Sequence, residues 1–198
     1  MKRRRLALML PLLLTACGYN TIQTYDEQAS AAQGQIEVQL QRRADLVPSL
    51  VATVKGLANQ ELAVFGEVAR ARSGLLGAVQ SKDPEQMANA NQAMTGALGR
   101  LLAVSEAYPQ LKSDAAFLKL QDELAGTENR VAVSRTDYNG AVQQYNAYIR
   151  RFPAVLTAKM TGAKERKYFT ATSPEAREAP KVDFGTPGAP AAPAPKKP

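Results

Sequence analysis

The sequence predicts an all-α protein: an elongated antiparallel helical bundle with three main helices, the first long and kinked near Pro48, plus a short C-terminal helix. Three observations predict it. From Ile36 onward apolar residues recur by threes, fours and their sums for some forty residues, the period of an amphipathic helix. Strand alternation and paired turn dipeptides are almost wholly missing, and helix-favouring Ala, Gln, Glu, Lys and Arg fill the positions between. Finally, Leu124, Val131, Tyr138, Tyr145 and Phe152 stand seven apart, a spacing that lets antiparallel helices wind gently around one another.

The chain opens with a targeting segment. Lys2, Arg3, Arg4 and Arg5 precede the apolar run LALMLPLLL, which is too short for the ~20 residues a helix needs to cross a bilayer. Leu14-Thr15-Ala16-Cys17 resembles the lipobox of bacterial lipoproteins. That resemblance implies cleavage before Cys17 and lipidation of its thiol, with palmitate among the acyl chains. Residues 1–16 then form the signal peptide and 17–22 the lipidated N-terminus and short tether. Several acyl chains at roughly 0.8 kcal/mol per buried methylene hold a protein to a membrane almost permanently. Gly18 after the cysteine, rather than Asp, resembles lipoproteins of the outer membrane, facing the periplasm in a diderm cell.

The first helical run places Ile36, Leu40, Val47, Leu50, Val51, Val54, Leu57, Val64, Phe65, Val68, Leu75 and Val79 on one stripe. At about 1.5 Å per residue it reaches ~80 Å, against ~55 Å for the last long run, so it must overhang the bundle or bend. Pro48 cannot donate to the carbonyl of Ala44 and its ring crowds that oxygen. Because the stripe continues on both sides, a kink fits better than a break. Gly34, Gly56, Gly66 and Gly74 on this run are expected at helix-helix contacts.

Ser81-Lys82-Asp83-Pro84 stops the first run, with Asp83 placed to accept the freed amides and Pro84 suited to the first helical position. The second helix buries Met87, Met94, Leu98 and Leu101 or Leu102 and ends at Tyr108-Pro109. The third begins near Ser113 and carries Phe117, Leu120, Leu124, Val131, Tyr138, Val142, Tyr145, Ile149 and Phe152 up to Pro153. Tyr138 and Tyr145 read as core residues whose hydroxyls reach the rim. The bundle spans 23–169. The Pro/Ala-rich stretch 170–198, ending GTPGAPAAPAPKKP, has little to bury and reads as an extended, disordered tail.

Composition limits the chemistry. The net charge is +7, but setting aside Lys2 to Arg5 leaves 21 basic residues against 18 acidic, and no basic stripe interleaved with aromatics remains to suit nucleic acid. Histidine is absent and Cys17 is the single cysteine, which removes the usual zinc ligands and the Ser-His and Cys-His pairs. No catalytic residue, metal ligand or cofactor is expected. The sharpest charged feature is QRRADLVPSLV, residues 41–51. Arg42 and Asp45 share a helical face and can pair within the helix. Alternatively Arg42, Arg43 or Asp45 meet Glu128 and Arg135 of the third helix in a polar layer that fixes the bundle's register.

Tyr19-Asn20, Gln35 through Pro48, Glu128-Asn129-Arg130, Tyr138-Asn139, Tyr145-Asn146, Phe152-Pro153, Tyr168-Phe169 and Ala179 through Phe184 closely resemble the LemA family of bacterial envelope proteins. The resemblance implies a membrane-attached antiparallel α-helical bundle without established enzymatic activity. By family analogy its partners are TPM-domain proteins or membrane proteases. Two positions depart from the family: Gln33 stands where a tryptophan is usual, and Ser49 where an asparagine is. The expected function is a lipid-anchored, non-enzymatic scaffold or adaptor of the cell envelope. The alternative is a helix- or peptide-binding module that regulates an envelope protease or signalling partner.

Overall fold

A stripe of alanine and branched aliphatics organises the molecule around its first helix. In the computed structural model, which describes residues 2–57 and 61–171 and the side chains of 18–56 and 61–171, α1 runs from Lys2 to Leu57. Ala29, Ile36, Leu40, Val47, Leu50 and Val54 are each at most 2 % exposed on one side of it, as the 3.6-residue period requires. The helix does not stop at Pro48, which lies on its exposed side.

The chain then reverses, and α2 (Leu62–Ser81) packs back along α1. This corrects the single long first helix expected from Ile36 to Val79. Leu57 and Val64 are seven residues apart, close to two full turns, so the apolar phase carries across the reversal as if the helix were unbroken. The reversal removes the expected overhang, and among the described residues the long helices number four rather than three. Lys55 Nζ sits 5.3 Å from the centre of the Phe65 ring beside the turn.

Lys82 ends α2 in the left-handed conformation, φ 55°. Its carbonyl accepts from Gln33 Nε2 at 2.9 Å, so Gln33 clips α1 to the end of α2. Asp83 caps α3 (Pro84–Ala107), accepting the amides of Glu85 and Gln86 at 2.9 and 3.3 Å. A single turn, α4 (Pro109–Lys112), buries Leu111 and leads to α5 (Ala115–Ile149), capped by Asp114. Along α5 the seven-residue series Leu124, Val131, Tyr138, Tyr145 is buried against α1. Phe152 does not continue it: α5 ends at Ile149 and Phe152 is 81 % exposed, so the heptad phase is lost with the helix.

The short C-terminal helix is α6 (Ala154–Thr161), closed by Gly162 at φ 73°. It packs on α1 near Gly18 and Ile22, where Ile22, Tyr145, Ile149 and Ala158 form a second core. Residues 162–171 then run without regular structure across α5. Helix α1 is thus central, flanked by α5 on one side and the α2-α3 hairpin on the other. The four glycines expected at helix contacts are not there: a Cβ added at Gly34, Gly56 or Gly74 meets nothing within 4 Å, and at Gly66 only the side chain of Arg70.

Candidate functional site

The charged stretch on α1 and the gap between α3 and α5 form one region. Arg43 is 3 % exposed and points away from solvent into the layer between these helices. One guanidinium nitrogen forms an ion pair with Glu128 of α5 and also donates to Asn91 Oδ1 of α3 at 2.6 Å. The other donates to Thr95 Oγ1 at 3.1 Å. Burial pulls the Arg43 pKa below its ordinary value, and the Glu128 carboxylate pushes it back up. Arg43 Nε is buried with no acceptor among the described residues.

The other residues of the expected polar layer lie elsewhere. Arg42, Asp45 and Arg135 are exposed. Asp45 accepts from Gln41 Nε2 at 3.0 Å along the same helix rather than pairing with Arg42. Of the charged groups foreseen, the structure brings together Arg43 and Glu128, with Asn91 and Thr95 as partners that carry no signal in the sequence. The interhelical layer has a neighbour in Arg130, whose Nε donates to Gln39 Oε1 on α1 at 3.2 Å.

Above this layer α3 and α5 stay apart, with no pair of Cα atoms within 8 Å. The gap is a cleft of about 1080 Å³, with Ala88, Val131 and Phe169 among its apolar lining and Arg70, Arg100 and Arg135 among its polar lining. Arg100 pairs with Glu67 and Glu128 with Arg43, which leaves Arg70 and Arg135 without a carboxylate among the described residues. The cleft therefore offers positive charge over an apolar floor. Among the described residues no cluster of His, Cys, Asp or Glu could hold a metal ion.

A strap closes one side of the cleft. Asn139 and Asn146, seven apart on α5, present their amides to the backbone of residues 166–169 as a neighbouring strand would. Asn146 accepts from Arg166 N and donates to Arg166 O, both at 2.9 Å. Asn139 does the same with Phe169, at 2.8 and 3.3 Å. Between them the Tyr138 hydroxyl donates to Lys167 O at 2.8 Å, and burial raises that phenol's pKa. Side chains of the strap reach the other helices: Arg166 pairs with Asp26 of α1 at 2.7 Å, and Lys167 with Asp83 of the α3 cap at 2.8 Å. Sequence reasoning missed these roles, although the paired Tyr-Asn dipeptides seven residues apart were the available signal.

Cys17 lies within α1, and its side chain is outside the described residues. No helix among the described residues is long and apolar enough to cross a membrane. The tail from residue 172 is outside the described residues.

Comparison with known proteins identifies the family. The profile of the LemA family matches residues 32–184, well over half of the chain. The chain belongs to the LemA family. The matched region of this LemA protein takes in the Arg43 layer, the cleft and the strap. Among curated relatives, the magnetosome proteins MamQ 1 and MamQ 2 of Paramagnetospirillum magneticum are each 30 % identical over 174 residues, covering 76 % of this chain. The magnetosome protein MamQ of Magnetospirillum gryphiswaldense is 29 % identical over the same length. The LemA chain described above spans 64 % of the length of each relative.

Proposed function

We propose that this LemA protein is a lipid-anchored, non-enzymatic scaffold or adaptor of the bacterial cell envelope, held at its membrane through Cys17. The observation that carries this reading is the continuity of α1: Cys17 and the core residues from Ile22 onward share one helix. A membrane attachment at its start therefore holds the bundle as a rod at a defined height rather than on a loose leash. The lipobox-like Leu14-Thr15-Ala16-Cys17 supplies the attachment, and Gly18 favours the periplasmic face of an outer membrane in a diderm source. The naming of its relatives as magnetosome proteins fits membrane association.

The test compares wild type with Cys17→Ala by membrane fractionation and crosslinking. Release of the variant into the soluble fraction and loss of crosslinked partners are expected; unchanged fractionation rejects the lipid anchor.

The cleft favours a second reading, a helix- or peptide-binding module that regulates an envelope protease or signalling partner. Its apolar floor suits a helix laid in a groove, and the unpaired Arg70 and Arg135 suit acidic residues flanking it. Partners among TPM-domain proteins or membrane proteases follow from family analogy. Under this reading Arg70→Glu with Arg135→Glu abolishes crosslinking while leaving fractionation intact.

A further inference from the structure

The exposed apolar residues of this protein are mostly isolated, as on any surface. Helix α6 is the exception. Leu156 and Met160, one turn apart on it, and Phe152 just before it are 52, 81 and 81 % exposed, while Ala154, Thr157 and Ala158 on the opposite side of the helix are buried against the bundle. This outer apolar surface is one-sided and has no partner among the described residues.

Its place decides what covers it. A Cβ added at Gly18 would meet Thr157 Oγ1 at 3.4 Å, so α6 lies beside α1 one residue after Cys17. Tyr19, 44 % exposed, is at the same end of the bundle. The neighbouring charge is positive. Arg151, Lys159 and Lys164 are exposed and unpaired among the described residues, and Glu165 is already engaged by Arg150. Large apolar side chains bordered by lysine and arginine, level with a segment that seeks the bilayer, make the pattern of a surface that lies in the headgroup region.

The geometry points to α6 as a second membrane contact: Leu156 and Met160 on its outer face, with Phe152 just before it, dip into an anionic lipid surface and fix the tilt of the bundle on its anchor. The inference rests on the membrane-attachment reading above and adds the face that meets the lipid.

The chain has no tryptophan, so a single one reports its own surroundings. Full-length Phe152→Trp and Met160→Trp are reconstituted into vesicles containing phosphatidylglycerol and brominated phosphatidylcholine, beside Leu118→Trp, an exposed control near the opposite end of α5. Flotation with the vesicles reads attachment separately from quenching. Expected are blue-shifted emission and at least twofold quenching at 152 and 160, with none at 118. Adding Arg151→Glu, Lys159→Glu and Lys164→Glu should remove the quenching while flotation persists. Protein that floats with no quenching at 152 and 160 overturns the α6 contact and leaves the attachment standing. Failure to float overturns both. Equal quenching at 118 shows nonspecific adsorption and also overturns it.

Discussion

The guanidinium of Arg72 on α2 donates its Nε hydrogen to the carbonyl oxygen of Ala44 on α1 at 2.8 Å. That oxygen is the one left without its intrahelical donor by Pro48, four residues on, which has no N–H. A neighbouring helix thus repairs the defect, and α1 passes through the proline instead of ending there. Arg72 and Pro48 should therefore couple. Arg72→Leu is expected to cost about 1–3 kcal/mol, the range for a lost hydrogen bond to a charged group. In a Pro48→Ala background, where the carbonyl regains a backbone donor, the same change should cost about 1 kcal/mol less. Urea unfolding of the four proteins measures the coupling, and additive effects would refute it.

The Arg43-Glu128 pair should be asymmetric in the same sense. Glu128→Leu leaves a buried guanidinium without its carboxylate and is expected to cost about 2 kcal/mol, short of the fully buried case because Glu128 is 42 % exposed. Arg43→Met added to it removes the stranded charge and should restore part of the loss. Equilibrium unfolding that shows the double variant weaker than the single one speaks against a buried charge layer.

Asn146 holds the strap by two hydrogen bonds while 2 % exposed. Asn146→Asp keeps the shape but cannot donate to Arg166 O, and should free residues 164–167 first. Lys164, Arg166 and Lys167 are then cut by trypsin several-fold faster than in wild type, with little change in helix content by circular dichroism. Unchanged digestion would show that the strap is held by its other contacts.

The strap also carries a pH dependence. The hydrogen bond from Lys167 holds the Asp83 carboxyl below its ordinary value of 3.8, and the amides of Glu85 and Gln86 act in the same direction. A depressed folded-state pKa stabilises above the unfolded value and is lost as pH falls through the folded one. The contribution should be complete at pH 5 and fall away progressively as pH drops below about 4, through the depressed folded value. Asp83→Asn, which keeps the helix cap, should flatten this part of the acid limb in urea midpoints taken between pH 5.5 and 3. An unchanged slope assigns the limb to other carboxylates.

How much of this was legible depends on the range of the interaction. The Asp83-Pro84 start of α3 and the buried series Leu124 to Tyr145 rest on residues close in sequence, so their pattern is written locally. The reversal after Leu57 escaped because seven residues of spacing look alike in a continuing helix and in a hairpin. The need at Ala44 was legible from Pro48, but its donor, Arg72, is set by how α2 folds back. Arg43 was visible as a candidate, whereas Asn91 and Thr95, some fifty residues away, become its partners through packing alone. Leu156 and Met160 are spaced for a helix face, yet only burial distinguishes an outer face from an inner one.

The continuity of α1 turns sequence length into direction. Each residue of an α-helix advances the azimuth by about 100°, so the number of residues between Cys17 and Ile22 sets the compass bearing on which the bundle faces its surroundings. One residue inserted there would lift the body by only ~1.5 Å yet swing it more than a quarter-turn. Under the proposed attachment at Cys17, the heading of each face is then as heritable as its chemistry.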